Sequence, residues 1–410
     1  MLTIKKISFD NIYYIGINAK LDKDNRVLYL NLNDEEFKKV FNCYYEELKD
    51  NFHILNKYKK CYIIDENDVF YSCFGCIWGF SRQDFFSNIK IYTAPIDIIL
   101  ENKITNEKLD DIKVTGIALK TSYPLYTDFK FHIANFNMNY DKEKRIFVSK
   151  TKGDDKYYIN LSIKSKKLFK FKTLSKIIYS VLEMFFLILG DIPQLEMITL
   201  CDDDSEFILY RELVDKYHQR KRLNPKNEII GDITPTTINS KTIREFIQFR
   251  NNTNIIFDML MIDMNSNGYL EIKNSSLLQL LEGLSKTIGP IKDENFRKIL
   301  AFYFKSNKST NFILSRRDKK ETNVGNSADT DYVFIIKGTG HRNYLSHLDV
   351  NTRREVFVKI ENNYAYWKLS LCARLYILDY LGIIIDKKLV KQLLHSIDKW
   401  AIDKHFRYKV

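Results

Sequence analysis

Apolar and polar residues alternate along much of the first 235 positions. LTIKKISF (2–9), RVLYLNLN (26–33), KVTGIALK (113–120), DFKFHIANF (128–136) and KYYINLSIKS (156–165) alternate or are rich in β-branched and aromatic residues, with Asn, Asp, Gly and Lys between them. This is the pattern of half-buried strands. VFYSCFGCIWGF (69–80) reads as a buried strand, and LEMITLCDDDSEFILY (195–210) as a strand pair. Two helices interrupt the strands, one over NDEEFKKVFNCYYEELKDNF (33–52) and one from about Leu174 to Leu189.

From about Thr237 the apolar spacing changes to that of helices. KTIREFIQFRNNTNIIFDMLMIDM (241–264), SSLLQLLEGLSKTI (275–288), DENFRKILAFYF (293–304), REVFVKIENNYAYWKLSLCARLYILDYLG (354–382) and DKKLVKQLLHSIDKWAIDKHF (386–406) predict a bundle of roughly five helices. Ser275, Asp293 and Asp386 stand where helices start, and Gly382 where the long one stops. Residues 307–331 read as a long polar loop inside the bundle. The expected class is therefore α+β: a β-rich N-terminal domain over 1–235, then an all-α helical bundle over 236–410. The boundary falls in KRLNPKNEIIGDITPTT (221–237).

Composition narrows this only slightly. The chain has 410 residues, enough for two domains, with 45% hydrophobic and 28% charged residues. Six prolines and 14 glycines exclude a collagen-like or Pro-rich chain. The formal net charge of +12 permits an anionic partner such as nucleic acid or a membrane surface without identifying one. No export signal is visible at the start. The longest apolar run, IIYSVLEMFFLILG (177–190), is short for a bilayer span and contains Glu183. Six irregularly spaced cysteines fit a reducing, cytoplasmic setting.

One short stretch carries candidate chemistry. In HRNYLSHLD (341–349), Asn343 and His347 are four apart and share a helix face, and the long side chain of Arg342 can reach the same spot. Arg offers a permanent planar fork for phosphate oxygens, and His moves a proton near neutrality. Gly338 and Gly340, just before, make a continuous helix costly by roughly 1 kcal/mol each. The stretch is therefore expected near a helix start, where free N–H groups favour phosphate.

With its context, this stretch resembles the R-N-x-x-x-H hallmark of HEPN domains, particularly the ApeA-like HEPN domains of bacterial phage-defence proteins. Arg342, Asn343 and His347 fit the pattern, and Leu348-Asp349 follow. LLQLLEGL (277–284) lies upstream, with Glu282 where such domains often carry Glu, and the helix ending LDYLGI (378–383) lies downstream. MFFLILGDIPQLEMITL (184–200) resembles the end of the β-rich domain that accompanies them. The likeness is strongest over about 240–400 and weaker over 1–235. The two glycines of KGTGHRN depart from the usual helical lead-in.

The resemblance implies a metal-independent endoribonuclease with no cofactor. Two copies would face their motifs across one cleft, in a homodimer or higher homo-oligomer. Arg342 would hold the scissile phosphate, His347 would act as general acid or base, Asn343 would position groups, and Glu282 would support Arg342. The RNA 2′-OH would be the nucleophile, giving a 2′,3′-cyclic phosphate and a 5′-hydroxyl; DNA should resist. The expected role is abortive infection, cutting host RNA, with tRNA one candidate, on a phage-derived trigger sensed by the N-terminal domain. The alternative is a non-catalytic adaptor that dimerises or binds RNA. A DNA-binding regulator is disfavoured, since no helix-turn-helix signature is present.

Other motifs have plainer readings. DMNSNGYLEIKN (263–274) matches several calcium-loop positions, but its twelfth residue is Asn274 and no second loop pairs with it. A turn between helices explains it. Cys73 and Cys76 form a C-x-x-C without two further ligands, and their spacing puts them on opposite strand faces, as structural thiols. CDDDSE (201–206) reads as a solvated turn. IKSKKLFKFKTLSK (163–176), YHQRKR (217–222) and RRDKK (316–320) are candidate RNA-guiding stretches, though a solvated face explains the first equally well.

Overall fold

In the computed structural model of this protein the described residues are 1–9, 12–15, 18–33, 35–36, 55–83, 90–102, 113–124, 132–153, 156–190, 194–202, 205–211, 229–265, 269–291, 295–315, 318, 332–347 and 356–404. The layout is α+β, with a large antiparallel sheet in the N-terminal half and helices in the C-terminal half.

The first seven strands are β1 (Leu2–Phe9), β2 (Ile12–Ile15), β3 (Asn18–Asp22), β4 (Val27–Leu32), β5 (Leu55–Asp65), β6 (Phe70–Gln83) and β7 (Lys90–Asn102). Six of them pair in the order β4-β3-β1-β5-β6-β7, and β4 also pairs with β7, which closes the ring. Closure removes sheet edges that would otherwise be open to other chains. Leu28, Leu30, Leu21, Ile63 and Ile99 fill the interior. β7 is long enough for two partners: residues 90–95 join β4, and Ile98–Asn102 join β13 (Ser205–Arg211).

From β13 the sheet continues as β12 (Gln194–Asp202), β8 (Lys113–Pro124), β11 (Lys156–Lys170), β10 (Lys144–Lys152) and β9 (Phe136–Asn139). One face of this part is apolar. α1 (Phe171–Leu189) covers it, burying Leu174, Ile178, Val181 and Phe185, and ends at Gly190 in the left-handed conformation (φ 74°). Glycine carries no Cβ penalty there.

The C-terminal half holds α2 (Ser240–Asn252), α3 (Asn254–Asn265), α4 (Leu270–Ile288), α5 (Phe296–Ala301) with a π-helical turn at Phe302–Ser306, α6 (Val333–His347), α7 (Ile360–Tyr380) and α8 (Lys387–Asp403). The apolar run over 241–264 divides at Thr253, whose hydroxyl bonds the Phe249 carbonyl. Asn239 and Thr242 exchange reciprocal capping bonds at the start of α2, and Asp386 caps α8.

The barrel has its own core, whereas the open part of the sheet and the helices share another. A single cluster of buried side chains runs from Leu100 to Ala401. Polar groups cross the same join. Arg374 of α7, 1% exposed, donates to the Leu187 and Ile188 carbonyls at the end of α1. Arg250 of α2 pairs with Glu183 at 3.0 Å. In the stretch expected to link two domains, Ile229, Ile230 and Ile233 are buried, and the Ile230 carbonyl accepts from the Asp386 N–H.

Several sequence expectations are corrected. Cys73 and Cys76 do not lie on opposite faces: both are buried in the closed barrel. Lys59 opposes Cys76 while Cys61 opposes Cys73, so β6 carries one extra residue, and this bulge turns both thiols inward beside Cys61. Burial pushes the Cys61 and Cys73 thiols well up, away from reactivity. In the calcium-like stretch, residues 270–274 form the first turn of α4, and the Asn274 amide donates to Asn362. Of the helix expected over 33–52, only the start is described, where Asn33 and Glu36 exchange capping bonds. Residues 217–222, 128–131, and 316–331 other than Asp318 lie outside the described residues; of the strand expected over 128–136, Ile133 makes a single bridge to Ile233 and only Phe136 belongs to a strand, β9. Among the described residues no helix is long and apolar enough to cross a membrane.

Candidate functional site

The candidate motif sits on α6, and its place there corrects the sequence reading. KGTGHRN does not precede a helix start: α6 runs unbroken from Val333 through both glycines to His347. The motif occupies its C-terminal third. The exposed N–H groups of a helix start are therefore not available here, and anion binding must come from side chains.

Packing explains why the glycines do not break α6. A Cβ on Gly338 would stand 3.1 Å from a Leu300 methyl and 3.4 Å from a Leu278 methyl. The missing side chain lets α6 lie close to α4 and α5, and this contact offsets the helical cost of glycine. Phe334 and Ile335 are fully buried at the start of α6. Phe334 meets Phe304 edge-to-face at 5.4 Å and Phe357 at a tilt at 5.2 Å between ring centres.

Arg342 reaches from α6 to α4. Its Nη2 donates to Glu282 Oε2 at 2.9 Å, and its Nη1 donates to Asn343 Oδ1 at 3.2 Å. The guanidinium carbon lies 5.5 Å from the centre of the Phe296 ring on α5. The other Glu282 oxygen accepts from Lys286 Nζ at 2.6 Å. One carboxylate thus holds two cations. Burial alone would push the Glu282 carboxyl up; the hydrogen bonds and charges of Lys286 and Arg342 outweigh it and hold the carboxyl below its ordinary range. Arg342 remains 21% exposed, so the guanidinium is both oriented and within reach of solvent.

His347 is the last residue of α6, five positions after Arg342; its side chain lies outside the described residues, as do Leu348 and Asp349. Ser346, one position before it, accepts from Gln279 Nε2 of α4 at 2.9 Å and fastens the end of the helix. Arg342, Asn343 and Glu282 are thus brought together on two helices, with Lys286, Phe296, Gln279 and Ser346 around them. Lys286 was readable in advance, since it stands four residues after Glu282 on a predicted helix. Phe296 and Gln279 carried no such signal.

Beneath this cluster lies a buried polar layer. His341, 2% exposed, bonds the Glu271 carbonyl through Nε2 at 2.8 Å. The acceptor is a carbonyl, so Nε2 carries the proton. Nδ1 is buried and has no hydrogen-bond partner among the described residues. Burial pushes the imidazole below its ordinary pKa, against the opposing pull of the Glu271 carbonyl and charge. His341 is therefore neutral in the folded protein near pH 7. As pH falls below about 6.5, the unfolded chain takes up this proton first, so stability declines until pH has passed the lower folded value. The thermal midpoint of the native protein should fall more steeply between pH 7 and 5 than that of His341→Gln. Parallel curves would reject this assignment.

Among the described residues no group of three or more His, Cys, Asp or Glu is placed to hold a metal ion. No protein-family model, no curated protein and no solved structure matches this chain. The reading of the site therefore rests on its own geometry and on the spacing of its motif.

Proposed function

We propose that this chain is a metal-independent endoribonuclease of the HEPN type, working through Arg342 and His347. The observation that carries the proposal is the held guanidinium. Arg342 is oriented by Glu282 and Asn343, shares the Glu282 carboxylate with Lys286, and stands on the same helix as His347.

In this reading Arg342 holds a non-bridging oxygen of the scissile phosphate and stabilises the charge that builds on it in the transition state. The neighbouring ribose 2′-OH attacks phosphorus and the 5′-oxygen leaves. The 2′-OH gives up its proton as its oxygen bonds phosphorus and the departing 5′-oxygen takes one up; His347 carries out one of these transfers and water the other. A 2′,3′-cyclic phosphate and a 5′-hydroxyl result. Asn343 fixes one edge of the guanidinium. Pairing of two copies would bring two motifs to one cleft, with RNA, tRNA among the candidates, as substrate. The cellular role proposed is abortive infection, in which a phage-derived trigger releases cleavage of host RNA.

The test has two arms. Purified protein should cut single-stranded RNA in EDTA and leave the matching DNA intact. Induction in growing bacteria should arrest growth, and His347→Ala should relieve the arrest at equal protein level. Equal arrest by wild type and His347→Ala, or cleavage that EDTA abolishes, would sink the proposal.

A further inference from the structure

The open half of the sheet has two unlike faces. On β8, β10 and β11 the residues Leu119, Val148, Leu161 and their alternates face α1 and the core. The positions between them face away from that core, and among the described residues no second apolar layer packs on them. Lys120, Arg145 and Lys164 stand exposed there, with Phe147 and Tyr158 half-buried among Ser149, Asn160 and Ser162.

Strand register places these side chains on one surface. Arg145 opposes Lys164, Phe147 opposes Ser162, Ser149 opposes Asn160, and Thr151 opposes Tyr158. On the other side of β11, Lys120 opposes Asn160 and Ser122 opposes Tyr158. Phe147 and the residue facing Tyr158 are four positions apart on β10, about 13 Å along the strand. Two rings are thus offered on one sheet face, with cations between and beside them.

The charge is uneven. Lys120 Nζ lies 4.9 Å and Lys156 Nζ 5.3 Å from the centre of the Tyr158 ring. Four cations, Lys120, Arg145, Lys156 and Lys164, stand on this surface, and among the described residues the register puts three carboxylates on the same face. One of these, Glu196, is engaged by Lys156 at 3.0 Å and by Ser122 at 2.6 Å. The others are Glu206, on β13 opposite Cys201, and Glu101, on β7 opposite Ile208 and paired with Lys23 at 2.9 Å.

We propose that this outer sheet face binds single-stranded RNA. The rings stack bases, the cations follow the phosphates, and the Asn and Ser side chains reach 2′-hydroxyls. A sheet face of aromatic and basic residues suits unpaired bases, because a duplex hides its base faces within the stack. An acidic peptide would satisfy the cations and leave the rings and the amide row without a role.

The surface differs from the one the sequence suggested. In IKSKKLFKFKTLSK the aromatic residues turn inward: Phe171 is buried, and Phe169 packs on the core beneath Lys144. Their Lys-Phe alternation belongs to the end of a strand and the start of α1.

This surface stands independently of the Arg342 assignment, and its test uses binding alone. A labelled oligouridylate is titrated with full-length His347→Ala protein, and with the same protein carrying Lys120→Ala, Arg145→Ala and Lys164→Ala. All three changes are at exposed positions, where little stability is lost. The triple variant should bind about tenfold or more weakly. Its dependence on salt should flatten by about two units of log affinity per log salt, because three phosphates no longer meet a cation. Tyr158→Ala alone should weaken binding several-fold at unchanged salt slope. A triple variant within twofold of its parent would overturn the proposal. So would equal affinity for oligodeoxythymidylate, or stronger binding of polyglutamate. Any of these results would leave the cleavage assay, and the reading of Arg342, unaffected.

Discussion

Arg342→Ala is expected to lower RNA cleavage by a hundredfold or more with little change in thermal stability. The size follows from the part assigned to the guanidinium. A preorganised donor aimed at developing charge is worth about a hundred- to a thousandfold in rate. The small stability cost follows from what stays behind. Glu282 keeps its 2.6 Å bond to Lys286, so its carboxylate is not left buried and alone. The lost ion pair should cost about 1 kcal/mol or less. Arg342→Lys should recover only part of the rate, because an ammonium cannot serve Glu282 and Asn343 with one planar fork. Glu282→Gln should keep the charge on Arg342 but loosen its aim, giving a smaller loss of about tenfold. Initial rates on a labelled RNA, with melting curves on the same samples, measure both quantities. If Arg342 serves only to fasten α6 to α4, the pattern inverts: stability falls and cleavage by the remaining folded protein persists.

Lys337→Met is expected to destabilise the protein by about 3 to 5 kcal/mol. Lys337 on α6 and Glu361 on α7 form a buried ion pair, with Nζ 2.7 and 2.9 Å from the two carboxylate oxygens and side chains 3% and 4% exposed. Glu361 also accepts the N–H of Val358, two residues before α7 begins, at 3.0 Å. Removing the ammonium takes away the cation that meets both oxygens of a carboxylate in a desolvated place. Adding Glu361→Gln to Lys337→Met should restore most of the loss. The amide is neutral when buried, and its oxygen still accepts from Val358. Urea unfolding of the two single variants and the double variant separates the stranded charge from the net worth of the pair. A loss under about 1 kcal/mol for Lys337→Met would show that this pair does not hold the two helices in place.

The same layer explains why α6 was hard to read. Its sequence contains two glycines, a buried lysine and a buried histidine, and it lacks an amphipathic stripe. Lys337 is buried because Glu361 meets it, His341 because the Glu271 carbonyl does, and Gly338 because Leu278 and Leu300 leave no room for a side chain. None of those partners lies within one helical turn of the residue it serves. Elements whose support is local were legible. α4 and α7 show their apolar runs, α8 its Asp386 cap, and β12 and β13 their hairpin.

By itself the sequence determined the α+β division, the long buried helix α1, most of the helical half, and the spacing that sets Arg342 five residues before His347 and Glu282 four before Lys286. These follow from residues within a few positions of one another, and periodicity and capping report such neighbours directly. Tertiary structure alone decided the rest. It closed β4 onto β7, turned Cys73 and Cys76 to one face through a bulge, carried α6 through its glycines, and brought Glu282 to Arg342 across 60 residues. Each of these depends on contact between distant segments, whose energy comes from burial and pairing that a local pattern does not record.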